Sequence, residues 1–213
     1  MKLYTYFRSS CAWRVRIALA YKELAFEPVF VHLSRSGGEQ FTPDYAKKNP
    51  QSQVPLLEVG EGEGALRLTQ SLAILEYLEE AHPTPALLPS EPSRRAEARR
   101  IAEIVNSGIQ PFQNLALSRA LAQHGVDSAP VTRGYIEEGL NAIERFAERT
   151  AGAYLVGDQV TFADVCVIPQ LFGARRFGLN VESYPTIARV ERTCADHPAF
   201  KAAAPQAQAD YEA

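Results

Sequence analysis

The sequence predicts two domains, an α/β domain at the start of the chain and an all-helical domain after it. Three observations carry that division. Over the first part of the chain, short β-rich runs alternate with helical runs, whereas almost everything after residue 90 has helical periodicity. Between the two, Pro83, Pro85, Pro89 and Pro92 crowd the stretch from Ala81 to Ser93, where each proline removes a backbone donor and discourages continued helix. The expected domains are therefore 1–81 and 93–213, joined by a linker over 82–92.

Within the first domain, Lys2 to Tyr6 reads as a buried strand. It is followed by a turn at Arg8 to Ser10 and a helix in which Trp13, Ile17, Ala20 and Tyr21 share a face. Phe26 to Val31 is a second strand, and strand, helix, strand within about 30 residues forms a βαβ unit with a parallel pair. After a loop containing Ser36-Gly37-Gly38, Val54 to Val59 reads as a strand entered through Pro55, which cannot donate to a ladder and so belongs at its start. Glu61 to Gly64 form a turn, Leu66 to Leu68 a return strand, and Ser71 opens a helix running through Leu72, Leu75 and Leu78. The result, βαβ followed by ββα, is the thioredoxin-like arrangement. Beyond the linker, helical runs are expected at 93–123, 132–150, 161–177 and 185–195, with turns at Gly157-Asp158 and Gly178-Leu179-Asn180. Thr161 and Asp164 are spaced for a helix-capping box, a structural role.

With 213 residues, 46% of them hydrophobic and 22% charged, the chain buries its cores without disulfide staples. It has no uninterrupted apolar stretch approaching the roughly 18 residues of a membrane span. Twenty-two basic against 25 acidic residues leave a net charge of -3, which gives no general attraction to nucleic acid or anionic lipid, so any anion must be caught locally. Cys11, Cys166 and Cys194 are odd in number and have neither CxxC nor zinc-ligand spacing. That usage predicts no metal centre and a reducing compartment, the cytoplasm. The charges among the first twenty residues argue against a secretory signal. Cys166 and Cys194 fall on helical patterns and read as small buried hydrophobes.

Ser9 and Ser10 lie at the turn that starts the first helix. Hydroxyl donors, unpaired backbone N–H groups and the positive end of the helix dipole can all stabilise an anion there. The same two serines also read as a plain helix cap, which the residues alone favour.

The run Ser9-Ser10-Cys11-Ala12-Trp13-Arg14, Val54-Pro55 before the third strand, and Gln70-Ser71 at the third helix resemble the zeta class of glutathione transferases. The resemblance continues through Pro83 to Pro89, Ile109 to Leu115, and Gly157 to Asp164, so it covers nearly the whole chain. It implies a glutathione transferase fold, glutathione as cofactor, a homodimer, and a small-molecule cis-enedione diacid as substrate. The implied reaction is isomerisation of maleylacetoacetate to fumarylacetoacetate in tyrosine and phenylalanine catabolism. Maleylpyruvate isomerisation, a general transferase or dehalogenase activity, and a non-catalytic interaction module remain open beside it.

The resemblance also assigns roles. A free thiol has a pKa of about 8.5 and is mostly protonated at neutral pH, so the site must lower it. Ser9 makes the main sulfur contact, Ser10 and Cys11 stand beside it, and Ala12, Trp13 and Arg14 complete the cofactor-binding run. Val54, ahead of a cis Pro55, pairs with the cysteinyl backbone like an added strand. Gln70 and Ser71 take the γ-glutamyl carboxylate at a helix N-terminus. Gln40 falls near the glycyl end, and Gln110 and Asn114 come from the helical domain, though all three read equally as plain surface polar residues. Arg8 and Arg176 offer planar forks for substrate carboxylates, while Arg175-Arg176 also reads as a solvated helix end. Ala116 departs from the pattern, since a polar residue is expected after Asn114-Leu115.

Overall fold

The computed structural model describes residues 1–212. The chain divides into two compact units, one formed by Met1–Ala86 together with the chain from His197 on, the other by Leu87–Asp196.

The first unit is built on a four-stranded sheet of order β2-β1-β3-β4, with β1 Lys2–Thr5, β2 Glu27–Phe30, β3 Leu56–Val59 and β4 Leu66–Thr69. β1 runs parallel to β2 and antiparallel to β3, and β4 is antiparallel to β3. The central strands carry the apolar residues: Leu3, Leu56 and Leu57 are fully buried. Pro28, which lacks a donor, sits on an edge strand where it is tolerated. Helix α1, Ser10–Tyr21, connects β1 to β2. A short helix α2, Pro43–Lys48, precedes β3, and α3, Ser71–Ala81, follows β4. The β-α-β-β-α order expected from the sequence is present. α2 was not legible, because six residues after a proline show no periodicity.

Helix α1 is buried from Ala12 through Leu19, including Arg14 and Arg16, while Ala20 and Tyr21 are only half-buried. The single apolar face read from the sequence is therefore too narrow. The reason is a second cover besides α3: helix α9, Pro198–Ala203, packs on α1. The Arg16 guanidinium donates through Nε to the Ala203 carbonyl at 3.1 Å. The segment after His197 thus completes the α/β unit, against its expected place in the helical domain.

The second unit holds α4 Pro92–Glu103, α5 Leu115–Gln123, α6 Ala129–Thr150, α7 Phe162–Arg176 and α8 Pro185–Asp196. The expected continuous helix over 93–123 is broken. Residues Ile104–Ile109 wind as a wider π turn, Gln110–Gln113 as a 3-10 turn containing Pro111, and Asn114 restarts the chain as the cap of α5. The wide turn brings Ile109 against α6 at Gly139, where a Cβ would lie 2.4 Å from the isoleucine side chain. Only the missing side chain permits that approach. Among the described residues, no helix is long and apolar enough to cross a membrane.

The capping box forms as expected. Asp164 is fully buried at the first turn of α7 and accepts from the Thr161 N–H at 2.8 Å, the Thr161 hydroxyl at 3.0 Å and the Leu155 N–H at 2.8 Å. Burial pushes its pKa up to about 6, with the bonds from Leu155 and Thr161 opposing, so it is a carboxylate at neutral pH. Asp164→Ala would leave three donors without an acceptor. It is expected to cost about 2 to 4 kcal/mol of stability in urea denaturation, with Asp164→Asn recovering only part. Cys166 and Cys194 are buried, as expected of small hydrophobes, and burial pushes the Cys194 thiol up.

Candidate active site

The strand directions bring the predicted residues of the first unit to one end of its sheet. Tyr4 pairs with Leu56, Leu56 with Thr69 and Thr5 with Phe30. The turn after β1, the approach to β3 and the exit from β4 therefore converge, as does the loop after β2. Arg8 to Cys11 occupy the first, Val54 the second, Gln70 and Ser71 the third, and Gln40 the fourth.

Ser9 is the N-cap of α1, in extended conformation, and its Oγ accepts from the Ala12 N–H at 3.2 Å. Capping and anion binding are compatible here. The cap uses an oxygen lone pair, which leaves the hydroxyl proton available to donate to a second group. Ser10 and Cys11 are half-buried in the first turn of the helix, and Arg8 is exposed beside the turn, 5.8 Å from the Tyr6 ring centre. Ala12 and Trp13 are buried.

Arg14 takes a different place from the one implied. Its guanidinium is fully buried, and Nη1 donates to the Ser71 Oγ at 3.1 Å. Ser71 is the first residue of α3, so its hydroxyl accepts from a cation while its own proton stays available at a helix N-terminus. The buried charge polarises that hydroxyl and makes it a better donor to an anion. Arg14 thus ties the first helix of the site to the third through Ser71.

Gln70, just ahead of α3, adopts φ 66°, the left-handed region that costs a glutamine about 1 to 3 kcal/mol. Its Nε2 donates to the Gln51 Oε1 at 2.6 Å. The Val54–Pro55 peptide is cis. The Gln53 carbonyl next to it accepts from the Tyr45 hydroxyl at 2.6 Å and the Asn49 Nδ2 at 2.7 Å. Tyr45, Asn49 and Gln51 thus fix the approach to Val54, and sequence reasoning missed all three. The polar run Asn49-Pro50-Gln51-Ser52-Gln53 was the available signal. Gln40 is buried; its Nε2 donates to the Leu33 carbonyl at 3.3 Å, and its Oε1 has no hydrogen-bond partner among the described residues. Room for its amide exists because Gly38 at φ 115° lacks the Cβ that would lie 2.6 Å away.

Gln110, Asn114 and Arg176 belong to the second unit. The Gln110 Oε1 accepts from Gln113, whose amide exchanges two hydrogen bonds with Gln170. The Asn114 Oδ1 caps α5 by accepting from the Ala116 N–H at 2.9 Å. That contact uses the backbone of residue 116, so the alanine there leaves the cap intact. Arg175 spends its fork on Glu191 at 2.5 and 2.6 Å, and Arg176 is exposed in the last turn of α7.

A sheet end that gathers a serine-capped helix, a cis-proline strand entry and a second helix N-terminus defines the glutathione transferase class of protein. The chain belongs to the glutathione S-transferase family: residues 1–80 match its N-terminal domain and residues 129–198 its C-terminal domain. It is 44% identical to the maleylacetoacetate isomerase of Rattus norvegicus over 98% of this chain and 94% of the relative. Among solved structures, maleylacetoacetate isomerase from Anaeromyxobacter dehalogenans, with GSH bound in its active site, superposes with a TM-score of 0.90 at 47% identity. That match covers 99% of this chain and 97% of the other. A bacterial zeta-class maleylpyruvate isomerase matches with a TM-score of 0.92 at 38% identity, over 100% of both chains.

Proposed function

We propose that this protein is a glutathione-dependent cis–trans isomerase that converts maleylacetoacetate to fumarylacetoacetate. The observation that carries the proposal is the pairing of Ser9, whose cap leaves a hydroxyl proton to donate, with Ser71, whose hydroxyl is polarised by Arg14. One site thereby supplies a donor for a sulfur anion and a donor for a carboxylate. These features fit an extended tripeptide with a thiol in the middle and a carboxylate at each end.

Glutathione held there would supply a thiolate nucleophile for reversible covalent catalysis of the cis–trans change. The chain's part is to hold and to stabilise. Ser9 donates to the sulfur, and Ser10 and the first N–H groups of α1 add the positive end of the helix. Cys11, Ala12 and Trp13 complete the wall of the first turn. Val54 offers its backbone to the cysteinyl unit, and Gln70 and Ser71 hold the γ-glutamyl carboxylate. Gln40 stands near the glycyl end of the tripeptide. Arg8 reads a substrate carboxylate and supports the negative charge that develops on the substrate.

Turnover of maleylacetoacetate and maleylpyruvate, each with and without glutathione, tests the reading. The expected result is glutathione-dependent isomerisation that is faster on maleylacetoacetate. Faster turnover of maleylpyruvate would favour the second reading, supported by the likeness to the maleylpyruvate isomerase; turnover of neither would remove the function. Ser71→Ala is expected to weaken glutathione binding by about 1 to 3 kcal/mol in titration calorimetry, because a carboxylate loses a charge-assisted donor. An unchanged Kd would place the γ-glutamyl end elsewhere. Three cysteines in neither CxxC nor zinc-ligand spacing fit a reducing cytoplasm, and we read the active form as a homodimer, which sedimentation equilibrium would check.

A further inference from the structure

We propose that Asp210, near the far end of the sequence, is a positioning residue for the turn that carries Ser9. It acts by gripping the backbone of that turn, and the inference rests on the reading of Ser9 given above. The Phe7 N–H donates to the Asp210 Oδ2 at 2.9 Å, a bond between residues 203 positions apart. From the other side, the buried Arg16 takes the oxygens of the same segment. Nη1 donates to the Thr5 Oγ1 at 2.9 Å and the Tyr6 carbonyl at 3.2 Å, and Nη2 to the Phe7 carbonyl at 3.0 Å. The Tyr6 carbonyl also accepts from the Ser9 N–H at 3.0 Å. A cation thus holds the carbonyls and an anion the amide of one turn, two residues before the serine.

The anion's place is itself secured. The Tyr211 ring stands edge-on to Phe7 at 5.5 Å. Glu212 accepts from the Arg35 Nη2 at 2.7 Å and faces the His32 Nε2 at 3.4 Å, which pins residues 210–212 to the loop after β2. Phe7 is buried. A buried N–H deprived of its acceptor reorients to find another, and a shift of the turn would carry the Ser9 hydroxyl off the sulfur. Asp210 and Arg16 also attract one another, since the carboxylate opposes the lowering of the Arg16 pKa by burial.

Charge and position make opposite predictions. A negative charge near the thiolate disfavours ionisation, so if Asp210 acted only through its field, any neutral replacement would lower the pKa of the bound thiol. If it acts by position, Asp210→Ala raises that pKa and Asp210→Asn, whose amide oxygen can still accept from Phe7, restores it.

The experiment is a titration of the thiolate absorbance of bound glutathione, with steady-state kinetics on the same variants. Asp210→Ala is expected to raise the thiol pKa by about half to one unit toward the free value. It should lower kcat about three- to tenfold while changing the KM for glutathione less than about twofold, and Asp210→Asn should stay within about twofold of wild type. Combined with Ser9→Ala, Asp210→Ala should add no further loss, because it acts through that serine. Wild-type thiol pKa and kcat in Asp210→Ala, a lowered pKa in both variants, or equal damage by Ala and Asn would each overturn the inference.

Ser9→Ala alone separates the two readings. If it leaves the thiol pKa unchanged, the Ser9 assignment fails; if it raises the pKa and Asp210→Ala does not, only the positioning role fails. Should Asp210→Ala not be recovered folded, Asp210→Glu keeps the charge but displaces the carboxylate by one methylene. It carries the same expectation of a raised thiol pKa, and a wild-type value there would overturn the role.

Discussion

Replacing Ser9 by alanine is expected to lower turnover about ten- to a hundredfold at saturating glutathione and diacid. A hydrogen bond to a charged sulfur is worth about 1.5 to 3 kcal/mol, and each 1.36 kcal/mol is about tenfold in rate. Glutathione affinity should change little, since the proposed site also holds the tripeptide at Val54, Gln70 and Ser71. A second, separable effect follows from the geometry. The Oγ of Ser9 caps α1 through the Ala12 N–H, so the alanine variant should also lose about 1 kcal/mol of stability. Ser9→Thr keeps a hydroxyl that can both cap and donate, and should restore much of each. Ser9→Asp would keep the cap but set a carboxylate beside the thiolate; its stability should be near wild type and its activity low. Wild-type turnover in Ser9→Ala would move the sulfur donor to Ser10 or Cys11.

Arg16→Met should produce the largest loss of stability, about 3 to 5 kcal/mol in denaturant titration, a large share of the few to fifteen kcal/mol that holds a domain folded. One buried guanidinium serves the Thr5 hydroxyl and the carbonyls of Tyr6, Phe7 and Ala203. Methionine fills much of the volume but takes this donor from all four oxygens, leaving the Tyr6 carbonyl only its bond from the Ser9 N–H, and leaves Asp210 without its cation. Burial pulls the guanidinium pKa down to about 10, so it is charged throughout the physiological range. Arg16→Lys should remain well short of wild type, because an ammonium has three donors on one atom and cannot reach acceptors on β1 and α9 together. A loss below about 1 kcal/mol for the methionine variant would show that the oxygens it deprives find other partners.

The sequence disclosed those parts of the molecule whose causes are local. Apolar runs with β-branched and aromatic residues marked the strands, prolines marked the passage between the units, and Thr161 with Asp164 announced the start of α7 three residues at a time. The Ser9 run was legible as a helix start, although the residues by themselves favoured capping over chemistry; the structure reconciles the two through a single hydroxyl. What stayed hidden depends on distant partners. Nothing around Arg14 signals Ser71, 57 positions away, and nothing near Phe7 signals Asp210. The π turn at Ile104–Ile109 was hidden for a related reason, since it needs the absent side chain of Gly139 on another helix.

The return of the chain to its first unit sets an order on the making of the molecule. Synthesis runs from the N-terminus, so the strands and α1 emerge while α9 and Asp210 are still to be added. During that interval Arg16 lacks the Ala203 carbonyl and Phe7 its carboxylate. The helical unit is contiguous in sequence, from Leu87 to Asp196, and can be completed as a piece. The unit begun before the helical one is thereby finished after it, and the turn that carries Ser9 takes its final form only when α9 and Asp210 have been added.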